Sequence, residues 1–571
     1  MRTLLPRVFA LAQGAVRSGS SGLLVLLCVS ACGPASHPGI NPEREATSPA
    51  YANDTRFAAA GTERPNIIFL LTDDQRADTL SIAGNSAVRT PHIDALASNG
   101  VRYTNAFTVE PICAPSRFAF LSGQYERTSG LGFNSPYQVS DKQWSQTYPA
   151  LLREAGYFTG FIGKFGVQYY SLTGSAASQF DYWRAHDGWL PFFPKQLPEN
   201  PATTIYQEAE HEITTEIMGE FIEDFLTKRP VNAPFNLSVS FSAPHNSVVS
   251  SMYTEGADPD CDSYACRVMA YPANGNPRLV GHPVYDSLYR GGADDSEIQV
   301  SADTGRDPYH FIPRGVIDHE ARQKWYAYNY DAALEPEHLI RYYQTITGID
   351  KVVGDLMVRL ERLGIAENTI IIFSSDHGLL NGEYGTGGKA LLYDLVAKVP
   401  LVIYDPTAQD LDDEQRVRDD LVLSIDVPAT ILSYAGIETP AVMQGKDLNA
   451  IDKPRDEVFL ESLTVAEGNP FIEALRTTEW KYVRYFERAG CPYTEAQLDF
   501  AGQQPIFEQL FHLTEDPGER KNLVDAREHS ETLQIMRARS QQHSAQLTAQ
   551  GRKNKQALPV ALRPTSGVYC W

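Results

Sequence analysis

The residues of this chain that could do chemistry recur at the ends of apolar runs. Asp73 and Asp74 follow "NIIFLLT", and Asp376 and His377 follow "TIIIFSS". Lys164 ends "YFTGFIGK", and His245 ends "FNLSVSFSAPH". A lone cysteine, Cys113, opens Cys113-Ala114-Pro115-Ser116-Arg117, which runs on in a helix-like pattern to Ser122-Gly123, and Lys389 closes "TGGK". Three carboxylates gathered at one place repel, and one of them takes up a proton. A divalent cation relieves that repulsion, and oxygen ligands suit Ca²⁺, with Mg²⁺ as the alternative. Taken singly, paired aspartates after a strand are more often helix caps, and a lysine or arginine is more often solvated surface. Taken together, Arg117, Lys164 and Lys389 beside a metal describe an anion pocket inside an acidic protein.

These residues lie far apart in sequence, so the fold must gather them. The runs are short, apolar and β-branched or aromatic, and helical patterns separate them. "TPHIDALASNG" has Thr90 as a cap, Pro91 in the first turn and Gly100 as a stop, and "YYQTITGIDKVVGDLMVRLERLG" keeps helical periodicity to Gly364. This alternation predicts an α/β fold with a large, mostly parallel mixed sheet sandwiched by helices. In such sheets ligands sit beyond the carboxyl ends of the strands, where the polar residues above are delivered. A chain of 571 residues exceeds what one core usually serves. A catalytic domain over 65–444 and a smaller α+β subdomain over 445–571 are therefore expected, the latter an antiparallel sheet with "EWKYVRYF" as its clearest strand.

The net charge of −22 excludes nucleic acid as a partner, since a polyanion needs a basic stripe. Arg2, Arg7 and Arg17 precede the short apolar run Leu23–Val29, which ends in Val29-Ser30-Ala31-Cys32-Gly33. This reads as a lipoprotein signal over 1–31 with lipid on Cys32, a plain secretory signal being the alternative. Residues 32–64 read as a flexible tether. The implied location is outside the inner membrane, in a bacterial periplasm or at the outer membrane and cell surface, with the lipid as the only membrane contact. Of seven cysteines, export removes Cys28 and lipidation uses Cys32. An oxidising compartment lets Cys261 pair with Cys266 and Cys491 with Cys570, which leaves Cys113 over. A free thiol there is a liability unless it is converted to something else.

Cys113-Ala114-Pro115-Ser116-Arg117 with Leu121-Ser122-Gly123 resembles the C-x-P-S-R and L-T-G signature of the type I, formylglycine-dependent sulfatases of the alkaline-phosphatase-like superfamily. "RPNIIFLLTDDQ", "TPHIDALASNGVRYTNAF", "APH", "SSDHG", "TGGK", "VPLVIY" and "LFHLTEDPGERKNL" follow the family in order, from about Pro65 to Leu523. The resemblance implies that a formylglycine-generating maturation enzyme oxidises Cys113 to an aldehyde. In the family its hydrate attacks sulfur through one metal-held hydroxyl, and the second hydroxyl expels sulfate. It also implies metal ligation by Asp73, Asp74, Cys113, Asp376 and His377. Arg117 is then expected to hold the formylglycine, Lys164 and Lys389 to grip sulfate, and His245 to protonate the leaving alcohol. Two positions depart from the family: Gly166 and Tyr384 stand where histidines are frequent. The small Gly166 is expected to leave space beside the sulfate.

Specificity is expected in the unshared parts. Residues 171–210 hold Trp183, His186, Trp189, Phe192 and Phe193, and residues 250–335 hold Cys261, Cys266 and "KWYAYNY". Such aromatics suit stacking on sugar rings, although core packing is their commoner use. The reading is a sulfatase acting on a sulfated saccharide. A phosphonate or phosphate ester hydrolase of the same superfamily is the alternative. An inactive carbohydrate-binding surface protein is a further alternative, opposed by the intact Asp73, Asp74, Cys113, Arg117 and Asp376.

Overall fold

The structure is a computed structural model that describes residues 64–555 apart from internal stretches, the longest being 253–282 and 308–334. The export signal, the tether, both expected cysteine pairs, Trp189 and "KWYAYNY" lie outside the described residues. Asn66–Thr72 forms β1 and is buried along its whole length. Ile68 and Leu70 face one core, and Ile67, Phe69 and Leu71 face another. A strand covered on both faces needs apolar residues at every position, which accounts for the unbroken run.

The further strands are β2 (Val101–Phe107), β3 (Phe158–Lys164), β4 (Tyr182–His186), β5 (Phe235–Ser240), β6 (Thr369–Ser375), a small hairpin of β7 (Leu380–Asn381) and β8 (Gly387–Gly388), β9 (Leu401–Tyr404) and β10 (Val417–Leu423). All but the hairpin join one eight-stranded sheet in the order β10-β2-β9-β6-β1-β5-β3-β4. Neighbours run parallel, except that β9 is antiparallel to β2 and β6. The longer helices are α1 (Pro91–Asn99), α2 (Cys113–Ser122), α3 (Tyr148–Glu154), α4 (Thr214–Lys228), α5 (Glu335–Arg362), α6 (Asp426–Tyr434) and α7 (Ser530–Lys555). Phe221 and Phe225 of α4 and Val352 and Val353 of α5 cover one face of the sheet. Phe118 of α2, Tyr148 and Leu152 of α3 and Ile431 of α6 cover the other.

The ends of α1 show how tertiary contacts take over local signals. Thr90 holds the cap position, but its hydroxyl donates to Asp94 Oδ1 at 2.9 Å. The first amides of α1, on His92 and Ile93, donate instead to Asp350 Oδ1 of α5, at 2.9 and 2.8 Å. Gly100 ends the helix because the chain there approaches β9: a Cβ would lie 2.3 Å from the Ile403 carbonyl oxygen.

The C-terminal part is an antiparallel meander of β11 (Glu457–Ser462), β12 (Phe471–Thr477), β13 (Trp480–Phe486) and β14 (Phe507–His512), with α7 packed on it. Its apolar face joins the first sheet directly, Leu460 and Leu475 sharing a cluster with Phe107 and Leu421. Behind that cluster the buried Arg127 pairs with Glu461 and Glu473, at 2.9 and 2.5 Å. Among the described residues no helix is long and apolar enough to cross a membrane.

Candidate active site

Strand register brings the site together. Leu71 and Gly163 both pair with Ser240, and Thr72 pairs with Ser375, so β1, β3, β5 and β6 end level. Lys164, Asp73, Asp74, His245, Asp376 and His377 therefore emerge along one sheet edge. Cys113 opens α2 in the same place, at the positive end of a helix. Asp74 adopts the left-handed region, φ 69°, which aspartate tolerates better than most residues. Its amide donates to Asp376 Oδ1 at 3.1 Å, and its carbonyl accepts from Tyr342 of α5 at 2.7 Å.

Ligand-type atoms of Asp73, Asp74, Cys113 and His377 lie within 4.8 Å of one another, all buried. Asp376 stands outside this tight set. Its Oδ2 meets Arg117 Nη2 at 2.9 Å, and its Oδ1 accepts from the His377 amide at 2.9 Å. Asp74 Oδ2 and His377 Nε2 are buried without a hydrogen-bond partner, and Asp376 Oδ2 has its ion pair with Arg117. Such atoms are costly unless something satisfies them, and a divalent cation between them fits.

Cations surround this acidic centre. Lys164 Nζ lies 2.5 Å from Asp73 Oδ2. Lys389 Nζ lies 2.8 Å from Asp74 Oδ1, 3.2 Å from Cys113 Sγ and 3.0 Å from His245 Nε2. Arg117 sits beneath, its Nη1 donating to the Lys164 carbonyl at 2.8 Å and to Ser240 Oγ, its Nη2 reaching Asp73 Oδ2 at 3.1 Å. Burial alone would raise the acids. Against it, Lys164, His245 and Arg117 hold Asp73 well below the usual carboxylate range. Burial would also raise the Cys113 thiol, yet Lys164 and Lys389 hold it well below its ordinary value. The Cys113 thiol is thus biased toward its anionic form, by cations placed as a nucleophile needs them. Burial and then Asp73 push Asp376 up to about 7. Against its own burial, His377 is lifted by Asp376 to about 9. A proton retained on this pair is charge that a dication would replace.

The structure thus brings every candidate residue to one place: Asp73, Asp74, Cys113, Arg117, Lys164, His245, Asp376, His377 and Lys389. One expectation is corrected, and the second departure from the family is placed. Gly166 leaves no space, because its φ is +64° and a Cβ would lie 2.9 Å from Arg117 Cδ. Tyr384 does not face the centre: it is 1% exposed, stacks on Tyr393 and donates to the Gly518 carbonyl at 2.9 Å. Among the described residues, the aromatics named in 171–210 pack in or against the core. Trp183 packs on Phe161, Phe165 and Phe180, and Phe192 packs on Phe193 and Tyr285. Three supporting residues carried no signal of their own. Ser116 donates to the Asp376 carbonyl at 2.6 Å, Ser240 takes the Arg117 guanidinium, and Tyr342 braces Asp74. Only Ser116, inside the signature, was there to be noticed.

The sulfatase family model matches residues 65–437, well over half of the chain. The chain belongs to the sulfatase family. A second family model, for the C-terminal part of N-sulphoglucosamine sulphohydrolase, matches residues 382–546 of this sulfatase. Among curated relatives, an N-acetylglucosamine-6-O-sulfatase of Bacteroides thetaiotaomicron is 27% identical over 424 residues, spanning 68% of this chain and 71% of the relative. An ulvan-active sulfatase of Formosa agariphila is 26% identical over 464 residues, spanning 76% and 77%. Solved structures share the fold. One, a complex with its substrate D-glucosamine-2-N,6-O-disulfate, has a TM-score of 0.56 at 20% identity and covers 87% of this chain and all of its own. The phosphonate monoester hydrolase of Agrobacterium radiobacter has a TM-score of 0.57 at 18% identity, covering 86% and 96%. The sulfatase described here is therefore a hydrolase of sulfuric esters by family.

Proposed function

We propose that this sulfatase releases sulfate from a sulfated carbohydrate, with residue 113 as nucleophile after a maturation enzyme has oxidised it to formylglycine. The observation that carries the reading is the position of Cys113 Sγ, 3.7 Å from Asp73 Oδ1 and 3.2 Å from Lys389 Nζ, between an acidic cluster and an anion-binding pair of lysines. A hydrolysis of this class takes one ester and one water to an alcohol and inorganic sulfate. Negative charge grows on the transferred group and on the leaving oxygen, so preorganised cations at both lower the barrier.

Asp73, Asp74, residue 113 and His377, with Asp376 beside them, would hold a divalent cation, Ca²⁺ before Mg²⁺. When bound it supplies Lewis-acid polarisation at the reacting oxygens. Lys164 and Lys389 flank residue 113 and grip the sulfate oxygens. Arg117 holds the carboxylates of Asp73 and Asp376 apart in one orientation. The buried His245, whose Nε2 lies 3.7 Å from Asp74 Oδ2, protonates the leaving alcohol. The carbohydrate substrate class rests on the named relatives, and export as a lipoprotein through Cys32 accords with it.

Mass spectrometry of the tryptic peptide ending at Arg117 tests the nucleophile. The aldehyde, or its hydrate, is expected in place of the thiol, and Cys113→Ala should abolish turnover with the fold kept. Full activity with an intact thiol overturns the reading. The fold likeness to a phosphonate monoester hydrolase supports the rival reading, phosphonate or phosphate ester hydrolysis. Paired rates on aryl sulfate, phosphonate and phosphate decide between them, and a preference for phosphorus esters refutes the sulfatase assignment.

A further inference from the structure

Lys389 belongs to no long element. It follows β8, half of a two-stranded hairpin whose only ladder pairs are Leu380–Gly388 and Asn381–Gly387. So short a hairpin does not hold itself, yet Lys389 Nζ makes three contacts in the candidate site. Something must fix its height over the sheet edge.

The turn of the hairpin is clamped by segments distant in the chain. Tyr384 sits in the left-handed region, φ 56°, which a tyrosine adopts only when its surroundings impose it. Its amide donates to Asp303 Oδ2 at 3.2 Å, and its hydroxyl donates to the Gly518 carbonyl at 2.9 Å. Asp303 Oδ2 also takes the Arg520 guanidinium at 2.6 Å, which lies over the Tyr384 ring at 5.6 Å. Glu519, between Gly518 and Arg520, accepts from the Asp394 amide at 2.5 Å and pairs with Lys481 of β13 at 2.6 Å. On the other flank Glu383 pairs with Arg76, two residues beyond Asp74. The "EDPGER" stretch after β14 is thus locked to the second sheet on one side and to the hairpin on the other.

We propose that Tyr384, Asp303 and the Gly518–Arg520 segment are positioning residues for Lys389, setting the distance of its ammonium from residue 113. The inference rests on the reading that Lys389 grips sulfate. It gives the C-terminal subdomain a part in catalysis without a side chain in the site. Two of the clamp's contacts end on one carboxylate, Asp303, which is 1% exposed, whereas the Arg520 side chain is 43% exposed. A partly exposed ion pair contributes little to global stability, so loss of Arg520 is expected to move Lys389 more than it moves the melting temperature.

The test is a double-mutant cycle between Arg520→Ala or Tyr384→Phe and Lys389→Met, in the matured, metal-loaded protein. Two readouts are taken: kcat and KM on an aryl sulfate, and the sulfate-induced rise in melting temperature, which needs no turnover. Tyr384→Phe removes one hydrogen bond and should lower kcat/KM about threefold to tenfold, with Arg520→Lys closer to the natural protein than Arg520→Ala. In the Lys389→Met background neither change should weaken sulfate binding or turnover further. Losses that add fully in that background overturn the proposal, as do Arg520→Ala and Tyr384→Phe enzymes that both match the natural one. If Arg520→Ala fails to fold, Tyr384→Phe carries the same cycle alone. A Lys389→Met enzyme with undiminished turnover instead refutes the assignment of Lys389 to sulfate, which is a different result.

Discussion

Arg117→Lys keeps the charge at the centre of the site and removes its shape. The guanidinium is 2% exposed and makes one contact with the Lys164 carbonyl at 2.8 Å, one with Asp376 at 2.9 Å and one with Asp73 at 3.1 Å, besides Ser240. A lysine ammonium is a point charge on a shorter stem and cannot span both strand ends as a planar fork does. It is expected to keep one carboxylate and abandon the other, together with the carbonyl. A hydrogen bond to a charged group is worth about 1.5–3 kcal/mol, so two lost contacts, partly offset by the retained charge, come to about 3 kcal/mol. At about 1.4 kcal/mol per factor of ten, kcat/KM should fall about a hundredfold. The assay is steady-state kinetics on an aryl sulfate, with metal content and thermal melting measured on the same preparation. An Arg117→Lys enzyme within fivefold of the natural rate at full metal loading would refute the reasoning. So would a lowered melting temperature with unchanged kcat, since Arg117 would then serve packing only.

Other expectations follow from the same geometry. Gly166→Ala forces a side chain into a left-handed backbone against Arg117 Cδ; about 1–2 kcal/mol of stability should be lost in chemical denaturation. Turnover should fall alike on small aryl and carbohydrate sulfates, and a carbohydrate-selective loss would contradict the crowding seen here. Exhaustive chelation should abolish turnover and lower the melting temperature, because Asp73 and Asp74 lose what offsets their repulsion; full activity in metal-depleted protein would exclude the assigned site. Burial, with Lys164 and Arg117 nearby, holds the His186 imidazole down to about 3 from an ordinary 6.5. A depressed histidine leaves stability intact above 6.5 and removes it as pH falls toward 3, by about 1.4 kcal/mol per unit. Between pH 6.5 and 5 the natural protein should therefore lose about 2 kcal/mol more than His186→Gln in urea titrations, and equal slopes would refute this.

The legible parts of this fold are those whose physics is local. β1, β3, β5 and β6 lie under cover on both faces, so each is short, rich in apolar residues and buried throughout, and the polar residues that follow stand at the sheet edge. β4, "YWRAH", is an edge strand with half-exposed positions, and β10, "VRDDLVL", is polar along its first half, so neither declares itself by pattern. The same division runs through the site. Which residues converge was readable, because strand ends and a helix start deliver them. What each touches was not. Arg117 finds its partners on β3 and β5 and just beyond β1 and β6, and no local pattern encodes those meetings. Gly166 and Tyr384 make the point most sharply. Both stand where histidines are frequent, and Gly166 read that way implies a gap beside the sulfate. In three dimensions both are backbone solutions, a glycine whose left-handed turn clears Arg117 and a tyrosine clamped to hold a hairpin. A position where an expected side chain is absent says nothing about empty space until the neighbours that fill it are known, and here those neighbours are the residues that hold the site in shape.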